Sequence, residues 1–114
     1  MRRVLQLLFF FSLVLFISCG TNSNTVIEKT FHVWGNNDVC KKTIEKACTL
    51  NGVKDANWNP DSKLLKFNID TAIITTNAVL KSVASAGYDN ELFFGNDYAY
   101  SNLPEACQYE RRDN

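Results

Sequence analysis

This chain of 114 residues has no excess of charge of either sign and lacks the motifs of the commoner enzyme classes. Its 12 lysines and arginines are matched by 12 acidic residues, so it offers no basic stripe that could neutralise nucleic-acid phosphates. It has no glycine-rich phosphate loop, no nucleophile elbow and no group of carboxylates at a catalytic spacing. We therefore expect neither a nucleic-acid partner nor an enzymatic activity.

The first 18 residues are predicted to be a signal peptide with a helical, apolar core. Arg2 and Arg3 precede an almost wholly apolar run, residues 4–17, which is the pattern of an export signal. A membrane-spanning helix is the alternative, but these 14 residues would extend only about 21 Å, whereas the hydrocarbon core of a bilayer is roughly 30 Å thick. We therefore expect cleavage between Ser18 and Cys19.

Cys19 is the predicted site of lipid attachment. Residues 16–19, FISC, are similar to the lipobox of bacterial lipoproteins, and this resemblance implies that Cys19 is acylated after cleavage. Residues 19–25 would then be a lipid-anchored linker, and the domain would face the periplasm or the exterior from a cell-envelope membrane. The alternative is an ordinary secretory signal in which Cys19 has no role. Once Arg2 and Arg3 are removed, ten basic residues face 12 acidic ones, a net charge of −2.

The rest of the chain predicts one small domain, residues 26–94, and a C-terminal extension, residues 95–114. Leu65, Phe67 and Ile69 alternate as on a half-buried strand, and Gly87 is the residue expected where a helix closes. The predicted elements, in order, are a strand at 26–33, a helix from Asp38 as its N-cap to 50, strands at 53–58 and 63–69, a helix from 75 or 76 to 86, and a strand at 88–94.

This order predicts an α+β fold, the ferredoxin-like βαββαβ sandwich. In that arrangement a four-stranded antiparallel sheet carries two helices on one face. The extension is expected to be a short tail in which Tyr98, Tyr100 and Tyr109 pack against the domain.

Residues 31–91 resemble the heavy-metal-associated domain. The motifs that carry the resemblance are FHVWG at 31–35, Cys40 followed by IEKA at 44–47, GV at 52–53 and AGYD at 86–89. The resemblance implies the ferredoxin-like fold and the handling of copper(I), zinc, mercury or related soft cations. Members of this family hold the metal with two cysteines, CxxC, in the loop before the first helix. Soft thiolates suit soft cations there, and the helix N-terminus offsets their negative charge.

The loop of this chain keeps one of those two cysteines. Cys40 matches the second cysteine of the motif, and Asn37 stands at the first position. The chain is similar throughout to a lipoprotein subgroup of the family, in which a shorter loop reads NCGMC and the C-terminal extension carries another cysteine pair. Here that pair reads Ala106-Cys107. Because an asparagine supplies only a neutral, hard oxygen, the chain departs from the family's metal site.

Three cysteines other than Cys19 need separate interpretation. Cys40 lies where the helix begins, which favours its thiolate form and makes it the candidate ligand. The extension is long enough to bring Cys107 back to Cys40, either as a second thiolate or as a disulfide partner, but the spacing alone equally allows two thiols that never meet. Cys48 lies about 12 Å along the same helix from Cys40, too far for a disulfide, and is expected to be a buried apolar residue.

The predicted function is the binding of a soft metal ion, copper(I) before zinc or mercury, by a lipoprotein that uses Cys40 and potentially Cys107. One alternative is a degenerate domain that binds no metal and serves as an interaction module, and another is a thiol-based redox protein. The expected partners are a metal-transfer protein or a second copy of the chain, whose Cys40 would complete a two-sulfur site. His32, on the strand face opposite Phe31 and Val33, is expected at the sheet surface and not as a ligand.

Overall fold

The computed structural model describes residues 25–114. The predicted signal peptide, Cys19 and all of the linker except Thr25 therefore lie outside the described residues. In chain order the elements are strand β1 (Val26–His32), helix α1 (Asp38–Ala47), strands β2 (Val53–Trp58) and β3 (Leu64–Asp70), helix α2 (Thr76–Ser85), a short helix α3 (Asp97–Ser101) and a 3₁₀ helix (Glu105–Cys107). The first five lie where the sequence predicts them, although α1 ends at Ala47 and not at residue 50.

In the described part of the chain the sheet has three antiparallel strands in the order β1-β3-β2. The central strand, β3, pairs along its length with β1 and on its other edge with β2, whose register shifts between Lys54 and Asn57. Leu65, Phe67 and Ile69 of β3 are all buried. The predicted alternation on this strand is confirmed, and its apolar face forms the floor of the core.

The two longer helices bury their apolar sides in the same core as that sheet face. Helix α2 buries the four side chains that its helical spacing indicates, namely Val79, Leu80, Val83 and Ala84. Helix α1 buries Cys40 and Ile44. Helical periodicity therefore identifies the buried side of both helices, and Cys40 belongs to that side.

The prediction of a fourth strand at residues 88–94 is wrong. This segment makes one isolated antiparallel bridge, Val33 with Asn90, beside the end of β1. The side-chain oxygen of Asn90 accepts hydrogen bonds from the backbone N–H groups of Leu92 at 3.1 Å and Phe93 at 3.0 Å. The Asn90 N–H in turn bonds to the Phe93 carbonyl at 2.9 Å. These local bonds turn the chain away from β1, because a side chain that satisfies the backbone competes with the ladder of a sheet.

The C-terminal extension is packed onto the domain. It buries Leu103, Cys107 and Tyr109 in the core. Tyr100 is half-buried and its ring meets that of Tyr109 edge-on at 5.0 Å, whereas Tyr98 is 79% exposed. The expected packing therefore holds for two of the three tyrosines and is wrong for Tyr98. Within residues 25–114, none of the helices has both the length and the apolar character that crossing a membrane requires.

Candidate functional site at Cys40 and Cys107

Cys40 is positioned by a tightly packed loop between β1 and α1. A side chain at Gly35 would place its Cβ 2.9 Å from the buried ring of Trp58, so the loop passes directly over the core. The side-chain oxygen of Asn37 accepts the Val39 N–H at 3.0 Å and caps the helix. The predicted cap, Asp38, is instead the first residue of the helix. Asn37 is the better cap because it has the extended backbone that an N-cap adopts, which places Cys40 in the first helical turn.

Cys107 reaches the same place from the C-terminal extension. It ends the 3₁₀ helix that follows Pro104, and its N–H bonds to the Pro104 carbonyl at 2.7 Å. Its side chain is fully buried. The 3₁₀ helix packs against α1, so the extension delivers Cys107 to the end of that helix at which Cys40 lies.

Cys40 and Cys107 are joined by a disulfide bond across 67 residues of sequence, with their Cα atoms 5.4 Å apart. Of the arrangements that the sequence leaves open for this pair, the structure contains the disulfide. The Asn36 N–H donates to the Cys40 sulfur at 3.3 Å, and the Tyr88 hydroxyl lies 3.2 Å from the Cys107 sulfur. Burial raises the pKa of Tyr88, against a smaller opposing effect of its bond with Thr43, so its hydroxyl keeps its proton. The Cys40 sulfur also lies 3.7 Å from the backbone carbonyl oxygen of Cys107, so both sulfurs have polar neighbours.

The two sulfurs are shielded from solvent. Both cysteines are fully buried. A cavity of about 660 Å³ lies between the loop at 35–36 and residues 109–113 of the extension, and neither cysteine lines it. His32 and Trp34 form part of its wall, stacked with ring centroids 3.9 Å apart. The expectation that His32 lies at the sheet surface is thus met.

Positions 37 and 106, at which the lipoprotein subgroup that the sequence resembles has its other cysteines, also meet in space. The side-chain amide of Asn37 donates to the backbone carbonyl of Ala106 at 3.0 Å. Asn36 donates to the same carbonyl more weakly, at 3.4 Å. The loop and the extension are therefore joined by a hydrogen bond between Asn37 and Ala106 and by the Cys40–Cys107 disulfide.

Sequence reasoning missed the group that fixes the end of the extension, the buried carboxylate of Asp89. It accepts from Arg111 through Nε and Nη2, both at 2.8 Å, and from the N–H groups of Gly95 at 2.7 Å and Arg112 at 3.0 Å. Burial alone would raise the pKa of Asp89, but these hydrogen bonds and the charge of Arg111 hold it below its ordinary value. The same carboxylate raises the pKa of Arg111. Asp89 ends the AGYD segment at 86–89, but nothing in the sequence paired it with Arg111, which lies 22 residues further along the chain and belongs to no motif.

Cys48 takes no part in the site. It is the free cysteine of the described residues and is 2% exposed, as expected for a residue on the apolar side of α1. Burial, with a smaller contribution from the charge of Glu45, raises the pKa of its thiol to about 12. In residues 25–114 no cluster of three or more His, Cys, Asp and Glu side chains is arranged to hold a metal ion.

Comparison with known proteins supports the fold. No protein-family model matches the chain, and no curated protein matches it. Among solved structures it is similar to a proposed copper-ion-binding protein from Bacillus anthracis strain Ames, with 25% identity and a TM-score of 0.56 over 60% of this chain and all of that one. It is also similar to a copper form of a CopA variant from Bacillus subtilis, with 22% identity and a TM-score of 0.50 over 59% of this chain and 91% of that one. These neighbours support the heavy-metal-associated type of fold, and about two fifths of this chain has no counterpart in them.

Proposed function

We propose that this protein is a soft-metal-handling lipoprotein of the cell envelope, in which Cys40 and Cys107 are the ligand pair and copper(I) is the cargo. The observation that supports this most is the meeting of the two sulfurs at the first turn of α1. That is the place at which the resembling domains bind their metal, and the similar solved structures are described as copper-binding proteins. The second sulfur comes from the extension instead of from the loop.

The disulfide is the oxidised form of the proposed site and is not itself a ligand pair. Two electrons and two protons convert it into two thiols, whose thiolate forms bind soft metals. The position of Cys40 in the first turn of α1 favours its thiolate. Copper(I) and mercury(II) accept two sulfur ligands, whereas protein-bound zinc takes four ligands in structural sites, and the described residues supply no third one nearby. The donor set therefore favours copper(I) or mercury over zinc.

The proposed location rests on the amino-terminal sequence. If Cys19 is acylated, the domain is held at a membrane surface on the outer side of the cytoplasmic membrane, where disulfides form. In that setting the oxidised form accumulates unless a thiol reductant or a metal-transfer protein keeps the pair reduced. The anchor would then set the redox environment of the cysteine pair, and the redox state of the pair would decide whether it can bind the metal.

A second candidate function is an interaction module that keeps the fold and binds no metal. The observation that favours it is the complete burial of both sulfurs in a covalent bond, with Asn37 and Ala106 at the places of the other two cysteines. In this case the disulfide is a structural cross-link. The two functions differ in what happens when the bond is reduced.

The deciding experiment is an anaerobic copper(I) titration of the reduced protein, without its signal peptide, against a competing chelator. Cys40→Ser and Cys107→Ser are the test variants, Cys48→Ser is the matched control, and mass spectrometry gives the stoichiometry. The proposal expects one ion per chain, lost in both test variants and kept in the control. Loss in Cys40→Ser alone, with one ion per two chains, would mean a site shared in a dimer. No competitive binding by the wild type would leave the interaction module.

A further inference from the structure

The part of the extension that follows Cys107 is fixed by contacts that do not involve sulfur. The Tyr109 hydroxyl accepts the Asp89 N–H at 2.8 Å and donates to the Gly87 carbonyl at 2.6 Å. Its ring stacks on Tyr88 with centroids 5.8 Å apart, and the residue is 2% exposed. Tyr109 is two residues from Cys107, so these bonds fix the backbone of the cysteine closely.

An ion pair fastens the chain immediately beyond Tyr109. Arg111 forms two parallel hydrogen bonds with the fully buried carboxylate of Asp89, which is the strong bidentate geometry of a guanidinium with a carboxylate. Arg111 also donates to the Gly95 carbonyl at 2.8 Å and lies over the Tyr100 ring at 4.7 Å. Asp89 also accepts the backbone N–H groups of Gly95 and Arg112, but Arg111 is the cation that pairs with it, so removing Arg111 would leave a buried charge without its partner.

We infer that the Asp89–Arg111 pair and the Tyr109 hydroxyl are positioning groups that hold Cys107 against Cys40 when the disulfide is reduced. The reduced protein is then a preorganised dithiol, ready to reoxidise or to take a two-coordinate metal without rearrangement of the extension. This rests on the proposed function in that it concerns the same two sulfurs. It is a property of the metal-free protein, however, and is measured without metal.

The physical consequence is a high effective concentration of one thiol at the other. If the extension were free after reduction, Cys107 would be tethered to the folded domain only by a flexible segment, residues 95–106, for which the effective concentration at Cys40 is about millimolar. If the extension stays docked, the two thiols remain neighbours and the effective concentration of one at the other rises by orders of magnitude. The balanced reaction is disulfide exchange with glutathione: two glutathione thiols each give up a proton and an electron and form oxidised glutathione, while the protein disulfide becomes two thiols.

The test is the equilibrium of the Cys40–Cys107 pair in glutathione redox buffers, with the full chain in detergent and no metal. Samples are quenched in acid and alkylated, and peptide mass spectrometry gives the fraction of this pair that is oxidised. The unfolded reference is the same protein in concentrated urea. We expect the native effective concentration to exceed the urea value by about 100-fold or more, as a docked pair requires.

Two adjacent arginines provide a matched comparison. Arg111→Gln removes the ion pair, whereas the Arg112 side chain lies over the rings of Phe94 and Trp34, and its Nε has no hydrogen-bond partner in the described structure. We expect Arg111→Gln to lower the native effective concentration by about tenfold or more, and Arg112→Gln to change it by less than about threefold. Tyr109→Phe, which keeps the ring and loses both hydroxyl bonds, is expected to lower it by about threefold or more.

Either of two results would overturn the inference: a wild-type value no higher than that in urea, or equal values for the wild type, Arg111→Gln and Tyr109→Phe. If Arg111→Gln fails to fold when oxidised, as judged by circular dichroism, Tyr109→Phe decides alone. The outcome is independent of the copper titration. A high effective concentration with no copper binding would support the positioning role of Asp89, Arg111 and Tyr109 and reject the metal function. Copper binding with a low effective concentration would support the metal function and reject the positioning role.

Discussion

The side-chain amide of Asn37 bonds to the backbone carbonyl of Ala106, with 3.0 Å between Nδ2 and O. These two residues occupy the positions at which the resembling lipoprotein subgroup has its other two cysteines, and they lie next to the Cys40–Cys107 disulfide. A chain with cysteines at all four positions would therefore bring four sulfurs together. In this chain, positions 37 and 106 are instead joined by a hydrogen bond between the loop and the extension.

The first prediction concerns restoration of those sulfurs. In the reduced state, Asn37→Cys combined with Ala106→Cys should create a four-thiolate cluster, which is the donor set that zinc prefers. We expect zinc affinity to rise by at least about 100-fold over the wild type, measured by competition with a chromogenic chelator, because each added thiolate replaces a hard or absent ligand. Each single variant is the control and should gain far less. Equal zinc binding by the wild type and the double variant would show that positions 37 and 106 do not share a site with Cys40 and Cys107.

The second prediction concerns the stability that the disulfide provides. Because it closes a loop of 67 residues, the chain-entropy model assigns it about 4 kcal/mol of the free energy of unfolding. Urea unfolding with and without reductant, followed by the fluorescence of the two tryptophans, should show a loss of that size. The Cys107→Ser variant should unfold at the same urea concentration in both conditions. A wild type insensitive to reductant would indicate that the cysteines are not bonded in solution.

The third prediction is a dependence of stability on acid that comes from Asp89. Its pKa is lowered in the folded state, so its contribution is complete well above its ordinary value of 3.8 and is lost as the pH falls through the lower folded value. Asp89→Asn should destabilise the protein by about 3 kcal/mol or more at pH 7, since it breaks a buried ion pair, and should flatten the acid limb of the stability curve. The control is Asp97→Asn, because Asp97 also contacts Arg111 but its side chain is 96% exposed. That change should cost less than about 1 kcal/mol. An acid limb that is the same in wild type and Asp89→Asn would contradict the assignment.

The fourth prediction concerns Cys48. Its thiol is buried and has a pKa of about 12, so the reactive thiolate is scarce at pH 8. Iodoacetamide should leave Cys48 unmodified in the folded protein for hours and alkylate it within minutes in urea, as followed by mass spectrometry. Rapid alkylation in the folded state would mean that this side of α1 opens in solution.

Most of the fold could be predicted from local pattern. The alternation of Leu65, Phe67 and Ile69 indicated a half-buried strand, and the spacing of Val79, Leu80 and Val83 indicated the buried side of a helix. Both predictions are confirmed because the side chains of a strand repeat every two residues and those of a helix every 3.6 residues. These periods are properties of the backbone, so a short stretch of sequence is enough to show them. The resemblance at residues 31–91 likewise indicated the fold type that the solved structures support.

The candidate site could be predicted only in part. Cys40 and Cys107 were identifiable as the residues able to form it, but their meeting, the bond between Asn37 and Ala106 and the anchoring of Arg111 on Asp89 were not. The same limit applies to the fourth strand predicted at residues 88–94, whose ladder is lost to the side-chain hydrogen bonds of Asn90.

By itself, the sequence of this protein determined the order of its first five elements, their buried faces and the residues capable of soft-metal chemistry. Only the tertiary structure decided which distant residues meet, namely Cys40 with Cys107 and Asp89 with Arg111, and that both sulfurs are shielded from solvent. The physical reason is that local periodicity depends on neighbouring residues alone. A contact between residues 67 positions apart depends instead on how the whole chain packs and on the hydrogen bonds that hold its end in place.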